Sequence, residues 1–84
     1  MKASLYLITQ VENRSYDTYD SAVVVAMSTE DAVLINPGYE SWEDEDLGYH
    51  TWASSPVNVT AVRIGEADPS LLIGSVVISS FNAG

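Results

Sequence analysis

A six-residue apolar run, Ala22 to Met27, constrains the fold of this chain more than any other feature. The run follows a polar stretch, Tyr16 to Ser21, and leads directly into a helix-start pattern at Ser28. An apolar run without polar alternation predicts a strand that is buried on both faces and therefore central in its sheet. The chain must then supply neighbouring strands on both sides of this one from only 84 residues.

Three further segments have the β-favouring composition of strands: residues 4–11, 57–64 and 75–81. Short polar connections between most of them favour antiparallel pairing. We predict an α+β fold with a small four-stranded, mainly antiparallel sheet in the order β-β-α-β-β. The position of the helix between the second and third strands permits a crossover there.

The helix is predicted to begin after Ser28, whose hydroxyl can accept the backbone N–H of Asp31, and to end before Pro37. Such a helix has about two turns and is stable only when it packs on one face of the sheet. A second, shorter helical turn is expected at residues 69–73, before the last strand.

Apolar residues are predicted on more than one face of the sheet. In the first strand, alternation places Leu5, Leu7 and Thr9 on one face, and the intervening Tyr6, Ile8 and Gln10 on the other. The remaining apolar strand positions are Val23, Val25, Val62, Ile64 and Phe81. A short helix covers only part of one face, and an uncovered apolar face marks an interface, so we predict a homo-oligomer, most simply a homodimer.

Residues 1–84 are predicted to form a single domain with an acidic insertion at about 39–55. Four consecutive acids, Glu43 to Asp46, lie inside this insertion. Trp42 and Trp52 stand near its two ends, where their indoles can pin the insertion to the core.

Composition excludes several classes of site. The chain has no cysteine and one histidine, His50, so neither disulfides nor the usual zinc sites can form, and no metal or cofactor is expected. A formal net charge of -9 repels nucleic-acid phosphates and anionic membranes. A host protein with a basic surface, or a cation, is the natural counterpart. No apolar run is long enough to span a membrane and no signal-peptide pattern is present, which predicts a cytoplasmic protein.

The sequence offers no catalytic constellation. His50 has no specific partner, the Ser79-Ser80 pair lacks the glycine elbow of serine hydrolases, and the glycines are isolated. We therefore predict that the chain is not an enzyme.

Aromatic and acidic residues in polar loops are the candidate contacts with a partner. Tyrosines in such loops suit recognition, although they can also cap the edge of a small core, and the aspartates beside them are typical of Asx turns. The acidic run can serve as a solvating loop or can imitate nucleic-acid phosphate towards a basic protein, and its consecutive acids do not match a calcium loop. The candidate partner-binding residues are Tyr16, Asp17, Tyr19, Asp20, Trp42, Glu43, Asp44, Glu45 and Asp46.

Several stretches together resemble small accessory proteins of tailed bacteriophages. These are Leu5-Tyr6-Leu7-Ile8, the segment from Tyr16 to Val24, Ala32 to Pro37, and Ser80-Phe81-Asn82-Ala83-Gly84. The resemblance implies a viral accessory protein of the kind that inhibits host enzymes, including anti-CRISPR and other anti-defence proteins, in the cytoplasm of the host cell. It carries over no catalytic residue.

The leading hypothesis is thus a phage-encoded, non-enzymatic binding protein that inhibits a host protein through an acidic surface. An oligomer that sequesters a small ligand or nucleotide between subunits is an alternative, although Arg14 and Arg63 are the only guanidinium groups available for an anion. A small virion assembly protein is a third possibility.

Overall fold

The computed structural model describes residues 2–13, 17–39, 42 and 51–82. Its elements are β1 (Ser4–Gln10), β2 (Thr18–Ala26), α1 (Thr29–Ala32), a 3-10 turn (Pro56–Asn58), β3 (Val59–Glu66) and β4 (Val76–Asn82). The four strands form one sheet in the order β3-β1-β2-β4, and each neighbouring pair is antiparallel. The predicted α+β class, with its four-stranded sheet and one short helix, is confirmed.

The apolar run forms part of a central strand, as its composition predicted, because β2 lies between β1 and β4. The strand begins at Thr18 and not at Ala22, so the polar residues before the run are also paired. Thr18 stands opposite Asn82 in β4, and the Tyr19 N–H donates to the Thr51 carbonyl at 2.7 Å. Thr18 and Tyr19 favour strands, and their backbone partners in β4 and at Thr51 extend β2 through this polar segment.

The helix is shorter than predicted. Ser28 caps it as expected, and its hydroxyl accepts the Asp31 N–H at 3.1 Å. After Ala32 the backbone hydrogen bonds join residues three apart instead of four, which is the 3-10 pattern. The Leu34 N–H donates to the Asp31 carbonyl and the Ile35 N–H to the Ala32 carbonyl, both at 3.1 Å. α1 therefore has a single turn instead of two.

The helical turn predicted at residues 69–73 is wrong. Two separate turns occupy the connection instead, closed by bonds from the Leu71 N–H to the Asp68 carbonyl and from the Ser75 N–H to the Leu72 carbonyl. Gly74 follows with a φ of 92°, a left-handed conformation that ends any helical path and that glycine adopts without strain.

Two connections carry the chain across the sheet. Because β3 pairs with β1 and not with β2, the segment containing α1 crosses over β1, which is the crossover that the position of the helix permitted. Residues 67–75 then lead from β3 at one edge to β4 at the other. The N-terminal and C-terminal halves of the chain are thus interleaved in one sheet.

The hydrophobic core lies on the face of the sheet under α1, which we call the covered face. Strand residues Ile8 and Ala22 stand opposite each other there, as do Tyr6 and Val24. The fully buried Trp52 packs onto them from the segment before β3. The other buried members of this core are Ala26, Ala32, Ala53 and Val59.

Candidate protein-binding surfaces

The second face of the sheet, which we call the open face, carries the other set of alternating side chains. Directly paired residues share a face, so the strand register defines its members. They are Leu5, Leu7 and Thr9 of β1, Ser21, Val23 and Val25 of β2, Thr60 and Val62 of β3, and Ile78 and Ser80 of β4. The division of β1 between two faces is as the sequence predicted.

Exposure on the open face rises towards the sheet edges. Val62 on β3 is 53% exposed and Ile78 on β4 is 65% exposed, whereas Val25 is fully buried. The burial of Val25 coincides with the end of the connection 67–75, where the Gly74 N–H donates to the Val25 carbonyl at 2.7 Å. Among the described residues, the open face is therefore covered at this end, near Val25.

A depression of about 180 Å³ lies on this face between β2 and β4. Leu7, Val23 and Ile78 line it together with Ser21 and Ser80. The lining is aliphatic with small hydroxyls, so the depression suits an apolar side chain and offers no charged group to an ionic ligand.

The start of β2 holds part of the predicted contact loop. Asp17 has a φ of 61°, and its N–H donates to the Asn82 carbonyl at 2.6 Å. The half-buried Tyr19 packs against Phe81, with ring centroids 4.8 Å apart. Asp20 falls at a register shift between β2 and β4 and is exposed. The two aspartates are thus presented by a paired strand, while Tyr16 lies outside the described residues.

The two tryptophans of the insertion both contact the core. Trp52 is fully buried, and Trp42 is half-buried with its indole N–H donating to the Leu34 carbonyl at 2.9 Å. This agrees with the expectation that they pin the insertion, and a contact of Trp42 with a partner stays a prediction. Glu43, Asp44, Glu45 and Asp46 lie outside the described residues.

Sequence reasoning missed a polar network between the end of β1 and the segment before β3. The Glu12 carboxylate accepts from the Ser54 N–H at 3.2 Å, the Ser54 hydroxyl at 2.6 Å and the Asn58 amide at 2.8 Å. The buried Gln10 amide donates to the Tyr19 carbonyl at 2.9 Å. The one sequence signal was Gln10 itself, a polar residue at a core-facing position of β1, which must find partners when buried.

The described carboxylates all lie at the surface. They are Glu12, Asp17, Asp20, Glu30, Asp31, Glu66 and Asp68. Between described residues the one ion pair joins the Lys2 ammonium to the Glu66 carboxylate at 3.9 Å, with both side chains largely exposed. A backbone hydrogen bond from Ser70 lowers the pKa of Asp68 and keeps that side chain ionised. The described surface is therefore strongly acidic.

The described residues hold no group of three or more His, Cys, Asp or Glu side chains placed to bind a metal ion. No helix in the described part of the chain is long and apolar enough to cross a membrane.

Comparison with known proteins assigns neither a family nor a function to the chain. No protein-family model matches the chain, and neither the curated proteins nor the solved structures include a significant match.

Proposed function

We propose that this chain is a non-enzymatic binding protein that inhibits a host protein with a basic surface. The observation that supports this proposal is that every described carboxylate is exposed, while the only ion pair between described residues is the Lys2–Glu66 contact. A net charge of -9 attracts a basic partner over long distances.

The contact proposed for this partner begins at Asp17 and Asp20. Hydrogen bonds to Asn82 and Thr51 hold the backbone of residues 17 and 19, so both aspartates start from a fixed position. A backbone that is already held in place loses little conformational entropy on binding. The acidic run Glu43 to Asp46 would add to the same electrostatic attraction.

The resemblance to phage accessory proteins suggests which class of host protein is inhibited. Enzymes that cut or bind nucleic acids have basic channels for phosphate groups, and an acidic protein can occupy them. We therefore propose a nucleic-acid-handling defence effector of the host, such as a CRISPR nuclease, as the target.

The test is the plating efficiency of a phage on bacteria that express both the chain and a DNA-targeting defence system. We expect plating to be restored in at least one system of a panel, and the purified effector to bind the chain more weakly at high salt, because salt screens the attraction. Unchanged plating across the panel, with no salt-sensitive binding to any purified effector, would contradict the proposal.

A matched pair of variants locates the contact. D17N/D20N removes two charges at the start of β2, and E30Q/D31N removes two charges from the first turn of α1. We expect the first variant to weaken binding of the effector by about tenfold or more, and the second to leave it nearly unchanged. Equal losses would show that only the total charge matters and that Asp17 and Asp20 are not the contact.

A further inference from the structure

We infer that the open face is the interface of a homodimer, in which two copies of this chain stack their sheets face to face. This inference goes beyond the proposed inhibition and does not depend on it. It begins from the exposed aliphatic side chains at the two edges of the face, Val62 at 53% and Ile78 at 65%. Leu7 and Val23 on the two central strands lie between them, and a run of apolar groups across a sheet face marks an interaction site.

The charge distribution indicates a second copy as the occupant. None of the paired positions of the open face carries a charged residue, although the chain has a net charge of -9. The charged strand residues Arg63 and Glu66 pair with Tyr6 and Ser4, so they belong to the opposite set of side chains. Two acidic copies can therefore meet on this face without placing like charges in contact.

A basic partner would gain nothing from the same face. Its attraction to the chain comes from the exposed carboxylates, and none of the described ones stands at a paired open-face position, although Asp68 lies on the connection 67–75 at one end of the face. The open face and the acidic surface are thus suited to different partners, and dimerisation leaves Asp17 and Asp20 outside the stacked positions.

The size of the face fits a small symmetric interface. Four strands about 4.8 Å apart, with about seven residues each at 3.4 Å per residue, span roughly 19 by 24 Å, or about 450 Å² in projection. This is at the low end of the area per partner in specific interfaces, which is typical of a weak, reversible dimer. Sheets packed face to face lie about 10 Å apart, close enough for their side chains to interdigitate.

The depression between β2 and β4 can receive a side chain from the second copy when the two sheets stack. Its volume of about 180 Å³ is enough for an aliphatic side chain, and Leu7 and Val23 form its apolar lining. In a two-fold symmetric dimer each copy would fill the depression of the other with an apolar side chain of its own open face.

Sedimentation equilibrium of the full chain tests the inference. At micromolar concentration we expect a mass of about 18 kDa, twice the 9.1 kDa of one chain. Because salt screens the repulsion between two acidic copies, the dimer should become tighter as salt rises, which is opposite to the salt dependence of effector binding. A mass of 9.1 kDa at all salt concentrations up to about 100 μM would overturn the inference.

Two matched substitutions show which surface is used. V62D places a charge on the open face, and V57D places the same charge on the 3-10 turn, where Val57 is 87% exposed. We expect V62D to weaken dimerisation by about a hundredfold or more and V57D to leave it within about threefold. A dimer unaffected by V62D would contradict the assignment of the interface.

I78D repeats the test from the opposite edge of the sheet. Both Val62 and Ile78 are more than half exposed in the single chain, so a charge at either position remains hydrated in the monomer. Circular dichroism should therefore show that the monomeric variants are folded. If both variants remained dimeric while folded, the two copies would meet on another surface.

Discussion

The two faces of the sheet differ in how completely the chain covers them, although the same strands supply both. On β1, Ile8 of the covered face is fully buried, while its neighbour Leu7 points to the open face and is half-buried. On the covered face, the helical turn and Trp52 lie over the sheet together with Ala53, Ile35 and Trp42. On the open face Val62 and Ile78 are more than half exposed, so aliphatic side chains there stay accessible to another molecule.

The largest loss of stability is expected when the largest buried side chain of the covered face is removed. Trp52 is fully buried, and W52A should lower the free energy of unfolding by about 3 to 5 kcal/mol, because it leaves a large cavity. That is most of the stability of a small domain. Urea denaturation followed by circular dichroism measures the loss.

W52F is the control for this cavity. The Trp52 indole N–H has no hydrogen-bond acceptor among the described residues, so phenylalanine loses volume but no hydrogen bond. We expect W52F to retain more than half of the stability that W52A loses. A W52A protein as stable as the wild type would show that Trp52 does not close the covered face.

The second prediction compares the two faces with one chemical change. I8A on the covered face should lower the free energy of unfolding by about 2 to 5 kcal/mol at every protein concentration. I78A on the open face should have an effect that grows with protein concentration, since it removes contacts made only in the dimer. If I8A and I78A lowered the free energy of unfolding equally, and independently of protein concentration, Ile78 would not make contacts in a dimer.

A smaller effect is expected from the network that ties Trp52 to the sheet. Glu12 accepts hydrogen bonds from Ser54 and Asn58, so E12A should lower the free energy of unfolding by about 1 to 3 kcal/mol. E30A, which removes an exposed acid on α1, should change stability by less than about 0.5 kcal/mol. Thermal unfolding of the two variants, measured side by side, checks this. Equal unfolding midpoints for E12A and E30A would contradict a structural role for Glu12.

The smallest predicted effect is a dependence of stability on pH that comes from Asp68, in the connection 67–75 at one end of the open face. The bond from the Ser70 N–H lowers the pKa of Asp68 below its ordinary value of 3.8. The folded state therefore binds this proton more weakly than the unfolded chain. The stabilisation by ionised Asp68 is present above pH 3.8 and is lost as the pH falls through the lowered pKa of the folded state.

Carboxyl NMR titration measures this directly. Asp68 should titrate at lower pH in the native protein than in urea, and S70P, which removes the N–H donor, should raise the native value towards 3.8. An unchanged pKa in S70P would show that this hydrogen bond is not the cause of the shift.

Sequence patterns predicted the strands, the Ser28 cap and the central place of β2, because apolar composition and capping are local signals. They failed where long-range pairing decides the structure. The polar residues Thr18 to Ser21 enter β2 because β4 and Thr51 provide partners far along the chain. No local pattern shows that Glu12 will meet Ser54 and Asn58, which follow it by more than forty residues.

The open face and the proposed contact residues could be predicted only in part from the sequence. Alternation in β1 anticipated an apolar second face, but Val62 and Ile78 reach it through pairing with Leu7 and Val23, which are distant in the sequence. Of the proposed contacts, Asp17, Tyr19 and Asp20 lie together at the start of β2. Tyr16 and the acidic run lie outside the described residues, so their contribution stays a prediction.

The central claim is that the open face meets the same face of a second copy. Isotope-filtered NMR on a mixture of labelled and unlabelled chains tests it most directly, because only contacts between different copies give signals. We expect intermolecular cross-peaks among the methyl groups of Leu7, Val23, Val62 and Ile78, and none from Ile8 or Val24. Intermolecular cross-peaks confined to other residues, or none at concentrations of about 1 mM, would contradict it.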